Sequence, residues 1–109
     1  MKKDYRIRKN EEFERIIHER KSFSNDTFVV YYSDRKQQNA RAGISVSKKM
    51  GDAVDRNKIK RQLRMMLLDL IDFENCEKDF IVIVRKAYLD KDFLANKTDL
   101  EKLIKKAII

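Results

Sequence analysis

Apolar side chains follow two periods along this chain, one typical of strands and the other typical of helices. The run Thr-Phe-Val-Val-Tyr-Tyr at residues 27–32 is β-branched and aromatic, which predicts a strand. Residues 41–47 alternate, with Ala42, Ile44 and Val46 on one face, which predicts a second strand. A polar turn separates the two runs, so we expect them to pair antiparallel.

Two further segments flank these strands. A short helix is predicted ahead of them, because Phe13, Ile16 and Ile17 recur at helical spacing. Asn10 can cap this helix, and two glutamates follow it in the first turn. Residues 79–85 form a continuous apolar run, which predicts a third strand that is buried on both faces.

The longest helix is predicted to begin near Asp52, which with Asp55 resembles a capping box. Its apolar stripe comprises Ile59, Leu63, Met66, Leu67 and Leu70. A terminal helix is predicted to begin at residues 98–101, where Thr-Asp-Leu-Glu has the capping-box pattern. The order helix, two or three strands, helix, strand, helix predicts one α/β domain over residues 1–109, with helices packed against a mixed sheet.

Positive charge is concentrated in one part of the chain. Lys and Arg outnumber Asp and Glu by 26 to 18, which gives a net charge of +8. Residues 41–64 hold eight of the basic residues and only two Asp, so most of the excess lies in under a quarter of the chain. Such a concentration indicates a surface that binds phosphate.

The long helix carries much of this charge, with no acidic residue between Asp55 and Asp69. Uncompensated like charges one turn apart destabilise a helix by a few tenths of a kcal/mol per pair. A polyanion would offset that cost, although a solvated basic face is the alternative. The residues that gather opposite the apolar stripe are Asn57, Lys60, Arg61 and Arg64.

A second candidate surface is the sheet face that carries Val29, Tyr31, Gly43 and Ser45. An exposed Tyr31 beside small residues would form a shallow trough with an aromatic floor, on which single-stranded nucleic acid could stack. The alternative is that Tyr31 is half-buried under the first helix.

Catalysis by the protein itself is not indicated. His18 has no partner in the sequence, and Cys76 lies in an acidic segment that would not lower its pKa. One His and one Cys do not form a zinc site, and no phosphate-binding glycine loop is present. The N-terminus lacks the apolar core of an export signal, and the single cysteine favours a reducing compartment, so we expect a cytoplasmic protein.

Several segments of the chain together match the pattern of one known family. Its basic motif is matched by Ala53-Val54, Arg56-Asn57, Lys60-Arg61 and Arg64. Further matches are residues 6–13, 28–31, 43–49, Gly51 and 79–85. In these residues the chain resembles the protein subunit of bacterial ribonuclease P. The resemblance implies an α-β-β-β-α-β-α sandwich, as in some ribosomal proteins, with a left-handed crossover through the basic helix.

The resemblance also implies a function: a ribonucleoprotein endonuclease that removes the 5′ leader of precursor tRNA. Its RNA subunit would hold the catalytic Mg²⁺ and perform the hydrolysis, while the protein, without catalytic residues or a metal site of its own, binds that RNA and the leader. The expected partners are therefore ribonuclease P RNA and precursor tRNA, with no membrane and no small-molecule substrate.

Individual positions inherit expected roles from this resemblance. The residues expected to contact the catalytic RNA are Arg56, Asn57, Lys60, Arg61 and Arg64, with Lys48 and Lys49 in the adjoining turn. The residues expected to contact the leader are Phe13, Ile17, Tyr31, Val29 and Ser45. Two positions depart from the family pattern: Ile17, where an aromatic side chain is expected, and Asp55, which adds a negative charge beside the motif.

Three rival functions remain from the residues alone. A ribosomal protein or general RNA chaperone would have similar composition and fold. A helix-turn-helix DNA-binding module is disfavoured because strands flank the basic helix. A protein nuclease is disfavoured because the carboxylates do not cluster in the way that two metal ions need.

Overall fold

The order of elements along the chain is α1, β1, β2, β3, α2, β4 and α3. The helices are α1 (Asn10–His18), α2 (Ala53–Leu70) and α3 (Phe93–Ile108), and the strands are β1 (Ser22–Ser24), β2 (Phe28–Asp34), β3 (Ala42–Ser45) and β4 (Lys78–Val84). This computed structural model describes residues 1–108, so Ile109, the last residue of the predicted domain, lies outside the described residues. The predicted α-β-β-β-α-β-α order is confirmed.

Strand β4 lies inside the sheet, whose order is β1-β2-β4-β3. It pairs antiparallel with β2 and parallel with β3, so the mixed sheet is confirmed. The predicted pairing of residues 27–32 with residues 41–47 is wrong, because β4 separates them. Phe80, Ile81 and Val82 of β4 are fully buried, and only an interior position covers both faces of such a strand.

The parallel pairing of β3 with β4 requires a crossover connection, which α2 provides. A crossover through the basic helix agrees with the fold that the resemblance implies. Its left hand stays a prediction.

The two faces of the sheet are covered by different helices. On one face, Phe28, Val30, Phe80 and Val82 pack in a core with apolar side chains of α2 and α3. The main contributors from the helices are Ile59, Leu63, Met66, Leu67, Leu100, Leu103 and Ile104. On the other face, α1 forms a smaller cluster around Ile16 and Ile81. The predicted layering of helices against a sheet is therefore confirmed, with α1 and Ile7 of the N-terminal segment on the second face.

Helix α1 lies close to the sheet because Gly43 has no side chain. A Cβ atom at this position would lie 2.5 Å from Cζ of Phe13, well inside van der Waals contact. The predicted cap of α1 is wrong by one residue: Lys9 occupies the N-cap position, and Asn10 is already helical.

Helix α2 begins as predicted. Asp52 is its N-cap, and its Oδ1 accepts a hydrogen bond from the backbone N–H of Asp55 at 3.0 Å. Gly51 precedes the cap with a φ of 131°, a conformation that side chains rarely adopt. The acidic Asp55 therefore lies in the first turn, where the helix dipole favours negative charge.

Helix α3 begins six residues earlier than the capping box predicts, at Phe93 instead of Asp99, so the proposed capping box at residues 98–101 is wrong. The Thr98 hydroxyl instead donates to the carbonyl oxygen of Leu94 within the helix at 2.9 Å. The cap is Asp92, whose Oδ1 accepts from the backbone N–H of Ala95 at 2.8 Å.

This cap leads to a stability prediction. Replacing Asp92 with Ala should lower the free energy of unfolding by about 1 kcal/mol, because a backbone donor of the first turn loses its partner. Replacing Thr98 with Ala should change it by less than about 0.5 kcal/mol, since this position is exposed and lies inside the helix. Urea denaturation of both variants measures the difference, and a larger loss for Thr98→Ala would contradict the assignment of the cap.

Candidate nucleic-acid interface

The basic face of α2 points away from the core that its apolar stripe enters. Asn57 and Arg61 are exposed, whereas Lys60 and Arg64 are half-buried along the flank of the helix. Arg56 is also half-buried, and its Nη1 donates to the carbonyl oxygen of Gly51 at 3.2 Å. Arg56 therefore connects the helix to the turn that precedes it.

Among residues 1–108, the basic side chains on α2 and in the turn before it form no ion pairs with carboxylates. Within residues 1–108, ion pairs involve other basic residues, such as Arg15, Lys78 and Lys97. In the same range, no carboxylate oxygen lies within 4.0 Å of the charged nitrogens of the unpaired basic surface, which we define as Lys48, Lys49, Arg56, Lys58, Lys60, Arg61 and Arg64. This surface carries positive charge that remains available to a polyanion.

Two further arginines lie beside this surface, and the site prediction missed them. Arg6 and Arg8 line a cavity of about 120 Å³ together with Lys60 and Arg64. The N-terminal segment reaches this place because Arg6 forms a parallel bridge with Ala42 at the edge of β3. Burial, and then the charge of Arg6, lower the pKa of Arg64, as expected where like charges converge.

Lys48 and Lys49 lie in a 3₁₀ turn, Lys48–Met50, between β3 and α2. Both side chains are exposed, whereas Met50 is buried and anchors the turn in the core. The turn follows the carboxyl end of β3, so its two charges extend the basic surface beyond the start of α2.

The sheet face under α1 has two rows of side chains that follow from strand register. Tyr31 of β2, Ile81 of β4 and Gly43 of β3 form one row. Val29, Ile83 and Ser45 form the next row, and all three are half-buried. Sequence reasoning named members of both rows but missed Ile81 and Ile83, because it did not place β4 between the other strands.

The sequence left open whether Tyr31 is exposed or half-buried under the first helix. In the structure Tyr31 is half-buried under α1. Its ring packs with Phe13 and Ile17 against the small cluster around Ile16 and Ile81. The trough floor is therefore aromatic only in part, since Ile17 is aliphatic.

A groove of about 330 Å³ joins the two predicted sets of residues. Its lining consists of Asn10, Phe13, Glu14, Ile44, Ser45, Val46 and Lys60. Phe13 and Ser45 belong to the predicted leader set, whereas Lys60 belongs to the set predicted to contact the catalytic RNA. Lys60 thus lies where the trough meets the basic surface, while Val29, Tyr31 and Ile17 lie outside this groove.

The two side chains considered for protein catalysis lie on different elements, His18 in α1 and Cys76 in the segment before β4. In the part of the chain that the structure describes, no three His, Cys, Asp or Glu side chains come together in a way that would hold a metal ion. His18 is exposed at the end of α1, and the half-buried Cys76 thiol lies 3.8 Å from the carbonyl oxygen of Lys78. Across the same residues, no helix has the length and apolar character needed to cross a membrane.

Comparison with known proteins identifies this arrangement. The family model described as Ribonuclease P matches residues 1–108. The ribonuclease P protein component of Bacillus cereus is 49% identical over 87 residues, which cover 79% of this chain and 76% of that protein. The corresponding protein of Bacillus anthracis is also 49% identical, over 79% of this chain and 73% of its own length.

Solved structures give the same result. A Staphylococcus aureus RNase P protein mutant superposes with a TM-score of 0.85 at 44% identity, covering 96% of this chain and 89% of its own. The RNase P protein of Thermotoga maritima superposes with a TM-score of 0.79 at 32% identity, covering 93% and 96% of the two chains. The chain therefore belongs to the family of bacterial ribonuclease P protein components.

Proposed function

We propose that this chain binds the catalytic RNA of ribonuclease P and the 5′ leader of precursor tRNA, and so supports removal of the leader. The main support for this proposal is the position of Lys60. This residue belongs to the unpaired basic surface and also lines the groove that contains Phe13 and Ser45 of the trough under α1. A surface of unpaired cations suits a folded RNA, and a narrow trough with apolar walls suits an extended single strand.

The catalytic RNA would occupy the basic surface. The residues proposed to contact it are Arg56, Asn57, Lys60, Arg61, Arg64, Lys48 and Lys49. Arg6 and Arg8 add to this set because they share a cavity with Lys60 and Arg64. Their main contribution is electrostatic, since phosphate contacts displace condensed counterions and position the RNA without reading its sequence.

The leader would lie along the trough, in contact with Phe13, Ile17, Tyr31, Val29 and Ser45. Phe13 and Tyr31 offer ring surface for stacking, whereas Ile17 offers only aliphatic contact. The half-buried row of Val29, Ile83 and Ser45 provides a path across the sheet beside α1.

Hydrolysis is assigned to the RNA subunit, whose Mg²⁺ ions would activate the attacking water and stabilise the leaving oxygen. The basic side chains of this chain reduce repulsion between the two RNAs, so less Mg²⁺ is needed to bring them together. The resulting ribonucleoprotein is an endoribonuclease in which the protein is the non-catalytic subunit, and its substrate implies a cytoplasmic location.

The direct test is cleavage of precursor tRNA by a bacterial ribonuclease P RNA at low Mg²⁺, with and without this protein. We expect cleavage at the mature 5′ end only when the protein is present. RNA binding without any gain in cleavage would contradict the proposal and favour a ribosomal or chaperone role.

The basic surface leads to a second prediction. Arg64→Ala should weaken binding to the catalytic RNA and reduce the salt dependence of log K by roughly 0.7 to 0.9, the value of one phosphate contact. Lys105→Ala is the matched control, because Lys105 lies on α3 and pairs with Glu101 at 3.7 Å. Titrations at several salt concentrations measure both slopes, and an unchanged slope for Arg64→Ala would count against this surface.

The trough leads to a third prediction. Tyr31→Ala should weaken binding of precursor tRNA by about 1–3 kcal/mol, because a stacking surface is lost, and should leave binding of mature tRNA unchanged. Tyr32→Ala is the control, since this ring lies on the opposite face of β2 and stacks on Phe23. Equal losses for precursor and mature tRNA would exclude the trough as the leader site.

A further inference from the structure

A buried polar network lies beneath α1, at the end of the sheet where β3 and β4 begin. Arg41 and Asp79 are both buried, and the backbone N–H of Arg41 donates to Oδ1 of Asp79 at 2.9 Å. The guanidinium Nη2 of Arg41 lies 3.6 Å from Oδ2 of Asp79 and donates to Oε2 of Glu12 on α1 at 2.5 Å. This network connects α1 to two strands through one side chain.

The charges of the network depend on one another. Burial raises the pKa of Asp79, while the hydrogen bond and the charge of Arg41 oppose that effect. The hydrogen bond from Arg41 lowers the pKa of Glu12, so this carboxylate stays ionised in the folded protein. Buried ion pairs of this kind contribute little net stability because desolvation offsets their attraction. Such ion pairs can instead determine how the elements that they join are positioned relative to one another.

The geometry supports that use. Glu12 and Phe13 are adjacent in α1. Glu12 accepts a hydrogen bond from Arg41, and the ring of Phe13 packs on Gly43. Arg41 and Gly43 are two residues apart and therefore lie on the same face of the chain at the start of β3. One contact is a directional hydrogen bond between charged groups, and the other is close packing of a ring on a backbone without a side chain. Two unlike contacts side by side fix both the depth of α1 on the sheet and its rotation about its own axis.

We infer that Glu12 and Arg41, held by Asp79, are positioning residues for leader binding: their contact orients α1 so that Phe13 and Ile17 face the trough. This inference rests on the proposed function, since it concerns the same trough. Glu12 lies on α1, and Arg41 and Asp79 lie beneath it. None of the three lines either cavity that contains Lys60, so they should affect binding of precursor tRNA without affecting binding of the catalytic RNA.

The test compares three variants in the holoenzyme reconstituted with ribonuclease P RNA. Glu12→Ala removes the contact but leaves Arg41 paired with Asp79, so the fold should persist. Glu12→Gln keeps a side-chain acceptor for Arg41. Glu101→Ala is the matched control, because it also removes one carboxylate from an ion pair, the 3.7 Å contact with Lys105, on α3, which packs against the other face of the sheet.

We expect Glu12→Ala to weaken precursor tRNA binding about tenfold, comparable to the loss of one stacked base, with binding of mature tRNA and catalytic RNA unchanged within about twofold. Glu12→Gln should restore most of the difference, and Glu101→Ala should match the unsubstituted protein. Because the Phe13 ring lies over Gly43, we expect it to shift the Gly43 Hα resonance. This resonance should move toward its usual chemical shift in Glu12→Ala only.

A preserved preference for precursor over mature tRNA in Glu12→Ala would overturn the inference and leave the proposed function intact. An equal loss for both tRNAs would overturn it as well, since it would indicate a general loss of structure. If the unsubstituted protein itself binds precursor and mature tRNA equally, the leader trough is wrong, and the inference fails with it.

Discussion

Strand β4 is the element on which the arrangement of the whole site depends. It is the last strand in the chain, yet it pairs with both β2 and β3, and its residues 79–82 are all fully buried. Its insertion between the two earlier strands brings Val29 and Tyr31 into rows with Gly43 and Ser45. The parallel pairing also requires the crossover through α2, which places the basic helix beside the trough.

Charge is distributed over this scaffold in two different ways. Away from α2, basic side chains form ion pairs with carboxylates, and the pair of Lys91 and Asp99 at 2.8 Å is an example. Asp99 also accepts a hydrogen bond from the Thr27 hydroxyl, which joins α3 to the β1–β2 turn. On the outer side of α2 such partners are missing among the described residues, and Arg6 and Arg64 share one cavity. The like charges there raise the free energy of the isolated protein slightly, and a bound polyanion would remove that cost.

Local patterns predicted the elements better than their assembly. The apolar run at residues 79–85 predicted the bounds of β4 to within one residue, and Asp52 predicted the start of α2. Both predictions succeeded because strand burial and helix capping leave a pattern among residues that are close in the sequence. Strand order could not be predicted, since pairing between β3 and β4 joins residues some 38 positions apart. The Arg41 network and the place of Arg6 were missed for the same reason. The proposed roles of the site residues came from the family resemblance and not from their spacing.

The contact between Phe13 and Gly43 has a consequence for how this family varies. The two positions share one volume, because a Cβ at residue 43 would lie 2.5 Å from the ring and 2.9 Å from Cδ1 of Ile81. A lineage that gains a side chain at this glycine must lose bulk at Phe13 or lift α1 from the sheet. We therefore expect the residues at these two positions to change together among relatives, because the two side chains jointly determine the width of the trough.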